Sequence, residues 1–311
     1  MKSMKSFFTK SPTQENDTQA TASSLRESVE HIQIYAKQKV LDLFAGMYHS
    51  TFKGQGIEPI DIREYIPGDD VRAISWPKTA QFGRPFIKNF QEERDLTVVI
   101  AVDISASLQW GGHFETKREC LAKAASLIAF SAIYNRDKVG LILFSSNIEK
   151  YIPPKRGSKH GMRLIREMLS FSPQEKGTNF ECALQGINQM VKKRCICFLL
   201  SDFFPPPLPE KAFALAAQQH DLIACRIFDP EEMTLPELRL VRIRDPETGK
   251  TALIDINAKV VKELERAAQA SSEQLEQLVH RIGASLITLS TQGGFEKALR
   301  AFFKIRSKTR H

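Results

Sequence analysis

Oxygen-bearing side chains just after an apolar stretch of the sequence could bind a divalent cation. Asp103, Ser105 and Ser107 are spaced two residues apart and follow directly on the apolar run 96–102. In an extended loop alternate side chains point the same way, so these three could converge on one point. A carboxylate with two hydroxyls suits a hard cation, Mg²⁺ before the softer transition metals.

Two further candidate ligands occur later in the chain at comparable places. Asp202 follows another apolar run, 195–200, as Asp103 follows the first. Thr178 precedes a predicted helix, where its hydroxyl could point at the strand ends. Asp and Ser are also favoured in turns and helix caps for backbone hydrogen bonding alone. The pattern therefore predicts a metal site, and a purely local role for these side chains stays open.

The elements that would position these residues alternate between strand and helix. Strands are predicted at 96–102, 139–144, 195–200, 222–228 and 285–289, with a short antiparallel edge at 148–152 that Pro153 and Pro154 end. Helices are predicted at 115–134, 158–170, 179–193, 209–219, 258–281 and 295–303. This alternation predicts an α/β fold, a doubly wound and mostly parallel sheet with helices on both faces. Ligands of such sheets bind at the carboxyl ends of the strands.

The rest of the chain does not follow this alternation. Residues 1–29 are predicted to be a disordered leader, and residues 306–311 a basic tail on an α/β domain spanning 95–305. Residues 30–94 carry many turn signals and, together with a hairpin inserted at 235–257, are expected to form a small β-rich subdomain. Trp76 is expected in its core. Ion pairs are expected to hold this subdomain against the sheet. The residues expected to form them are Arg63, Asp69, Asp70 and Arg72.

Charge and cysteine content argue against several protein classes. The net charge is +8, but five positive residues fall in the last twelve, so a basic tail extends from a nearly neutral body. This distribution argues against a nucleic-acid-binding groove, and non-specific nucleic-acid binding through the tail remains an alternative. Five cysteines argue against a disulfide framework. No apolar run approaches the roughly 20 residues that span a bilayer, and we expect a cytoplasmic protein.

Two common catalytic motifs are missing from the sequence. The glycines and lysine of 156–161 have the wrong spacing for a phosphate-binding loop, and there is no G-x-S-x-G stretch. A Mg²⁺-dependent phosphohydrolase is a second alternative, but it would need more carboxylates and a general base near the metal. We therefore predict a binding module with no catalytic residue rather than an enzyme.

Two sets of motifs resemble known families. The order Asp-x-Ser-x-Ser, then Thr, then Asp resembles the metal-ion-dependent adhesion site of von Willebrand factor A domains. Over about residues 30–305, and notably at Tyr65-Ile66-Pro67-Gly68-Asp69-Asp70-Val71-Arg72, the chain resembles the bacterial "domain of unknown function 58" family. One departure is Ser75, where that family usually has Asp, so this chain lacks a carboxylate at that position.

The resemblance implies a fold, a metal set and a partner. The fold would be a von Willebrand factor A-like sheet, and the cation Mg²⁺ or Mn²⁺. Its ligands would be Asp103, Ser105, Ser107, Thr178 and Asp202. Members of the family resemble proteins that work beside MoxR-type AAA+ ATPases in assembly, maturation or stress response. The resemblance therefore implies an adaptor whose metal binds an acidic residue of such an ATPase or of its client protein.

Overall fold

The structure is a computed structural model of the full chain. It describes residues 61–69, 71, 74–89, 96–109, 115–175, 177–204, 207–233, 238–244 and 251–309, with residues 32, 34–36, 38–39 and 48 of the N-terminal region. The predicted leader, Asp70, Arg72 and the turn of the inserted hairpin lie outside the described residues.

Strands and helices alternate along most of the described chain. In order they are β1 (Asp61–Glu64), α1 (Trp76–Phe82), β2 (Phe86–Asn89), β3 (Thr97–Asp103), α2 (Lys117–Tyr134), β4 (Lys138–Phe144), β5 (Ile148–Lys155), α3 (Ser158–Ser170), α4 (Phe180–Met190), β6 (Ile196–Ser201), α5 (Glu210–Gln219), β7 (Asp221–Phe228), α6 (Pro230–Met233), β8 (Leu238–Arg244), β9 (Thr251–Ile256), α7 (Ala258–Arg281), β10 (Ser285–Ser290) and α8 (Phe295–Thr309). A short 3₁₀ helix, Ala106–Gln109, follows β3.

Six strands form the central sheet, in the order β10-β7-β6-β3-β4-β5. All neighbouring pairs are parallel except β4 with β5. The predicted mostly parallel α/β sheet is therefore confirmed. The edge strand β5 runs through Pro153 and Pro154 to Lys155, beyond the point where the prolines were expected to end it. Proline is tolerated there because an edge strand has a neighbour on one side only, and the β4–β5 register is irregular around it.

Helices cover both faces of this sheet because its strands are apolar on both sides. Val98, Ile100 and Val102 of β3 pack with α2 and α8 in one core. Val99 and Ala101, which point the opposite way, pack with α4 and α5 in the other. The alternation of side chains along a strand thus divides a continuous apolar run between two layers of helices.

The last helix continues past the residues that were predicted to end it. It was expected over 295–303 and extends to Thr309. Arg306, which the sequence suggested was part of a solvated tail, donates hydrogen bonds to the carboxylate of Asp221 and, at 3.1 Å, to Oγ of Ser285. At least this positively charged residue of the C-terminal cluster therefore contributes to the fold. The ring of Tyr48 packs edge-on against Phe303 of the same helix.

Two small antiparallel sheets accompany the central one. β1 pairs with β2, and β8 pairs with β9. They are separate sheets, and their membership of one subdomain stays a prediction. Arg63 of β1 pairs with Asp69 at 2.7 Å, and a role of these ion pairs in joining the subdomain to the sheet stays a prediction. The prediction for Trp76 is wrong, since its side chain is 69% exposed at the start of α1, a helix with no buried residue.

Among the described residues, no helix combines the length and the apolar character that crossing a membrane requires.

Candidate metal centre

Acidic residues stand at the carboxyl ends of three adjacent parallel strands. Asp103 is the last residue of β3, Asp202 follows the last residue of β6, and Asp229 follows the last residue of β7. Because these strands are neighbours and run the same way, all three side chains lie at one edge of the sheet. The sequence predicted the first two residues. Asp229 was missed, although its position after an apolar strand carries the same signal.

Asp103 is buried and held by two hydrogen bonds. Its Oδ1 accepts the backbone N–H of Ser105 at 2.8 Å, and its Oδ2 accepts the hydroxyl of Ser201 at 2.6 Å. Burial raises the pKa of Asp103 to about 7, and the negative charge of Asp202 adds to this, while the hydrogen bonds act in the opposite direction. Two carboxylates therefore lie close enough at this edge for a neighbouring cation to stabilise both.

The hydroxyls of the Asp-x-Ser-x-Ser motif converge, but not through an extended loop. The 3₁₀ helix begins at Ala106, so the chain turns directly after Ser105. The Oγ atoms of Ser105 and Ser107 are 3.0 Å apart and share a hydrogen bond. A turn thus brings together the two side chains that alternation along an extended loop was expected to align.

Thr178 has a buried hydroxyl that lacks a hydrogen-bond partner among the described residues. Its loop is tied to the sheet because the N–H of Asn179 donates to the carbonyl of Ser145 at 2.8 Å. Ser145 follows the last residue of β4, Phe144, which is paired with Asp103 in the sheet register. Thr178 is therefore held at the same edge. Leaving a buried hydroxyl without a partner costs free energy, so an oxygen of this kind is a candidate ligand.

A lysine that the sequence analysis missed also lies in this cluster. Lys117, the first residue of α2, places its Nζ 3.3 Å from Oδ2 of Asp202 and 2.6 Å from Oε1 of Glu232. The other oxygen of Asp202, Oδ1, accepts the N–H of Phe204 at 3.2 Å. Glu232 belongs to α6, the short helix that begins directly after Asp229. No spacing in the sequence links these residues, because three different elements bring them together.

The donor set consists of hard oxygen atoms. Within the described ranges, no group of three or more His, Cys, Asp or Glu side chains has an arrangement that could hold a metal ion. A cation here would therefore depend on hydroxyl oxygens from Ser105, Ser107 and Thr178 as well as on carboxylates. Oxygen donors of this type suit Mg²⁺ or Mn²⁺. The buried Thr178 oxygen and the two neighbouring carboxylates fit such an ion.

Comparisons with known proteins place the chain among relatives of unknown function. A family model described as "Protein of unknown function DUF58" matches residues 61–274. The uncharacterized proteins Mb1516 of Mycobacterium bovis and Rv1480 of Mycobacterium tuberculosis are each 26% identical over 269 residues, covering 86% of this chain and 85% of theirs. A solved structure of BatB, a conserved hypothetical protein from Bacteroides thetaiotaomicron, aligns with a TM-score of 0.46 at 16% identity. That alignment covers 68% of this chain and 99% of BatB.

Proposed function

This chain belongs to the DUF58 family of proteins of unknown function, and we propose that it is a metal-dependent protein-interaction module. The cation is Mg²⁺ or Mn²⁺, at the sheet edge formed by the ends of β3 and β6. Its ligands, directly or through water, are Asp103, Ser105, Ser107, Thr178 and Asp202. We assign no catalytic residue to the chain.

One observation carries this proposal. Asp103 is almost fully buried at a strand end, and the charge of Asp202 from the neighbouring strand end disfavours its ionised form. Like charges this close disfavour the ionised form of one carboxyl, and a divalent cation at the site would favour the ionised form of both. A buried carboxyl perturbed in this way at a strand end is a candidate functional residue. The serine hydroxyls 3.0 Å apart and the buried Thr178 oxygen support a cation, because they add neutral oxygen ligands beside the carboxylates.

The fold that we propose for the domain is von Willebrand factor A-like. Its support is the order of the candidate ligands along the chain, first the motif after β3, then Thr178, then Asp202 after β6. The parallel sheet with helices on both faces is compatible with this assignment. The likeness to the adhesion site of such domains rests on the order of these residues in the sequence. Measurements of metal binding test it.

The chemistry of the site indicates what kind of partner it takes. A cation held by two carboxylates and several neutral hydroxyls stays electrophilic, so an acidic side chain of another protein is a suitable additional ligand. Phe204, two residues after Asp202, exposes 57% of its surface and could anchor such a partner beside the metal. We propose that the partner is a MoxR-type AAA+ ATPase or its client protein, in assembly, maturation or stress response. We propose a cytoplasmic location, because an ATPase partner needs ATP.

Metal binding is the first test. Calorimetric titration with Mg²⁺ and with Mn²⁺ should show weak binding to one site in the wild type and none in Asp103→Ala. Asp255→Ala is the matched control, because Asp255 is an exposed aspartate on β9. Equal affinities in the wild type and in Asp103→Ala would overturn the metal assignment.

Partner binding is the second test. Affinity capture with wild-type, Asp103→Ala and Asp255→Ala baits, with Mg²⁺ or with EDTA, should recover an AAA+ ATPase or its client only with the first and third baits in Mg²⁺. Identical recovery by all baits under both conditions would exclude the metal as the docking element. Mg²⁺-dependent release of phosphate from generic phosphate esters by the purified chain would instead favour a hydrolase.

A further inference from the structure

Lys117 is buried at the edge of the sheet among carboxylates. Its side chain is 6% exposed, and so is that of Asp202, whereas the side chain of Glu232 is 35% exposed. Lysine is almost never buried to this degree unless it is paired. Its backbone is fixed because α2 begins with a capping box, in which Thr116 and Glu119 each accept the other's backbone N–H. The ammonium group is thus held at the candidate metal centre by the start of a helix.

The carboxylate of Asp202 interacts with two groups in this arrangement. Its Oδ1 accepts the N–H of Phe204, and its Oδ2 faces Nζ of Lys117. A divalent cation that draws on the charge of Asp202 therefore competes with the ammonium group. Glu232 is the closer of the two partners of Lys117, at 2.6 Å against 3.3 Å. Lys117 can consequently leave Asp202 and remain paired.

We propose that Lys117 is a built-in competitor of the divalent cation. It pairs with Asp202 when the site holds no metal and keeps only Glu232 as its partner when Asp202 turns to the cation. Lys117 thereby weakens metal binding and stabilises the metal-free protein. It also leaves a bound cation less neutralised and so more receptive to a partner's carboxylate. This inference rests on the proposed metal function and goes beyond it by naming the residue that sets metal affinity.

The test measures Mn²⁺ binding by electron paramagnetic resonance and calorimetry. Lys117→Met should bind Mn²⁺ more tightly than the wild type, on the order of tenfold or more, because a nearby positive charge is removed from a poorly solvated site. Lys123→Met is the matched control, since Lys123 is on the same helix and pairs with Glu115. Its affinity should stay within about twofold of the wild type, because its charge is more exposed and better screened.

Lys117→Met leaves the buried carboxylate of Asp202 without its ion pair, so it should be less stable in EDTA and should regain more stability on Mn²⁺ addition than the wild type does. A second variant covers the case in which Lys117→Met does not fold. Glu232→Gln removes the alternative partner of Lys117, which then stays on Asp202, so Mn²⁺ should bind more weakly, on the order of fivefold. Glu231→Gln makes the same charge change one residue away and should have a smaller effect.

The outcomes separate this inference from the proposed function. If Asp103→Ala abolishes Mn²⁺ binding but Lys117→Met binds no more tightly than the wild type, only the competitor role is overturned. Where Lys117→Met does not fold, equal affinities of Glu232→Gln and Glu231→Gln overturn it. If the wild type and Asp103→Ala do not differ, the metal function fails and this inference fails with it.

Discussion

The hydroxyl of Ser201 donates a 2.6 Å hydrogen bond to Oδ2 of Asp103 and so joins the ends of two neighbouring strands. The Oγ atom of Ser201 also accepts the backbone N–H of Phe203 at 3.0 Å, and φ of Phe203 is +57°. One buried hydroxyl therefore holds both the Asp103 carboxylate and the turn that carries Asp202. Positive φ is uncommon for a residue other than glycine, and this hydrogen bond helps to maintain it.

Ser201→Ala should destabilise the metal-free protein by roughly 1–3 kcal/mol, because it removes a donor to a buried carboxylate and the acceptor of a buried N–H. Urea denaturation in EDTA measures the change. Ser126→Ala is the control, since that buried hydroxyl donates only to the Ala122 carbonyl within a helix. Its loss should cost less than about 1 kcal/mol, because alanine favours the helix. Equal losses in the two variants would contradict the bridging role of Ser201.

Thr178→Val should separate metal binding from folding. Because the Thr178 hydroxyl is buried without a hydrogen-bond partner among the described residues, its removal should not destabilise the protein in EDTA and should stabilise it by up to about 1 kcal/mol. The rise in melting temperature on adding Mg²⁺ should be lost. Thr116→Val, by contrast, removes the cap of α2 and should cost about 1 kcal/mol with or without Mg²⁺. A full Mg²⁺ response in Thr178→Val would remove Thr178 from the ligand set.

Arg306→Met should destabilise the fold by roughly 1–3 kcal/mol, because the guanidinium group donates to the carboxylate of Asp221 in a partly buried position. Arg300→Met, at an exposed position of the same helix, should change stability by no more than about 0.5 kcal/mol. Thermal denaturation of both variants measures the difference. Similar melting temperatures would show that Arg306 is as dispensable as a solvated tail residue.

His220 should make the protein less stable in mild acid. Burial lowers its pKa, and the charge of Arg194 acts in the same direction. The unfolded chain therefore binds a proton more readily than the folded one. This contribution to stability is present above the ordinary histidine pKa of about 6.5 and is lost as the pH falls below it, by at most about 1.4 kcal/mol per pH unit.

His220→Leu should remove that dependence. The stability of the wild type minus that of the variant, measured by urea denaturation between about pH 8 and about pH 5, should fall with decreasing pH. Taking the difference cancels the contributions of other titrating groups, because both proteins carry them. A difference that stays constant with pH would show that His220 titrates alike in the folded and unfolded states.

Much of the fold could be predicted because its strands are long and continuously apolar. Such runs indicate burial on both faces, and most helices between them show an apolar stripe. The exception is α2, which buries consecutive residues and is apolar on several sides. The two differences at element ends depend on tertiary structure. Pro153 and Pro154 are compatible with a strand that lies at the edge of the sheet, and the order of strands is not readable from one sequence. The last helix continues because Arg306 has a partner, Asp221, far away in the chain.

The candidate site was predicted only where its residues share a motif or a position. Asp103 and Asp202 both follow apolar strands, so the rule that ligands bind at strand ends identified them. Lys117 and Glu232 come from the starts of different helices, and only the folded arrangement joins them to Asp202. Trp76 was expected to be buried because large aromatic residues usually are, but its seven-residue helix packs no residue into a core.

The prolines of β5 have a consequence for behaviour at high concentration. β5 is the outermost strand on its side of the sheet, and Pro153 and Pro154 have no backbone N–H. Successive strand residues direct their N–H groups alternately inward and outward, so one of the two removes a donor from the outer edge. A further strand cannot extend the ladder past that point. This edge therefore resists the strand-by-strand self-association that begins fibril growth, although the strands behind it are rich in residues that favour aggregation.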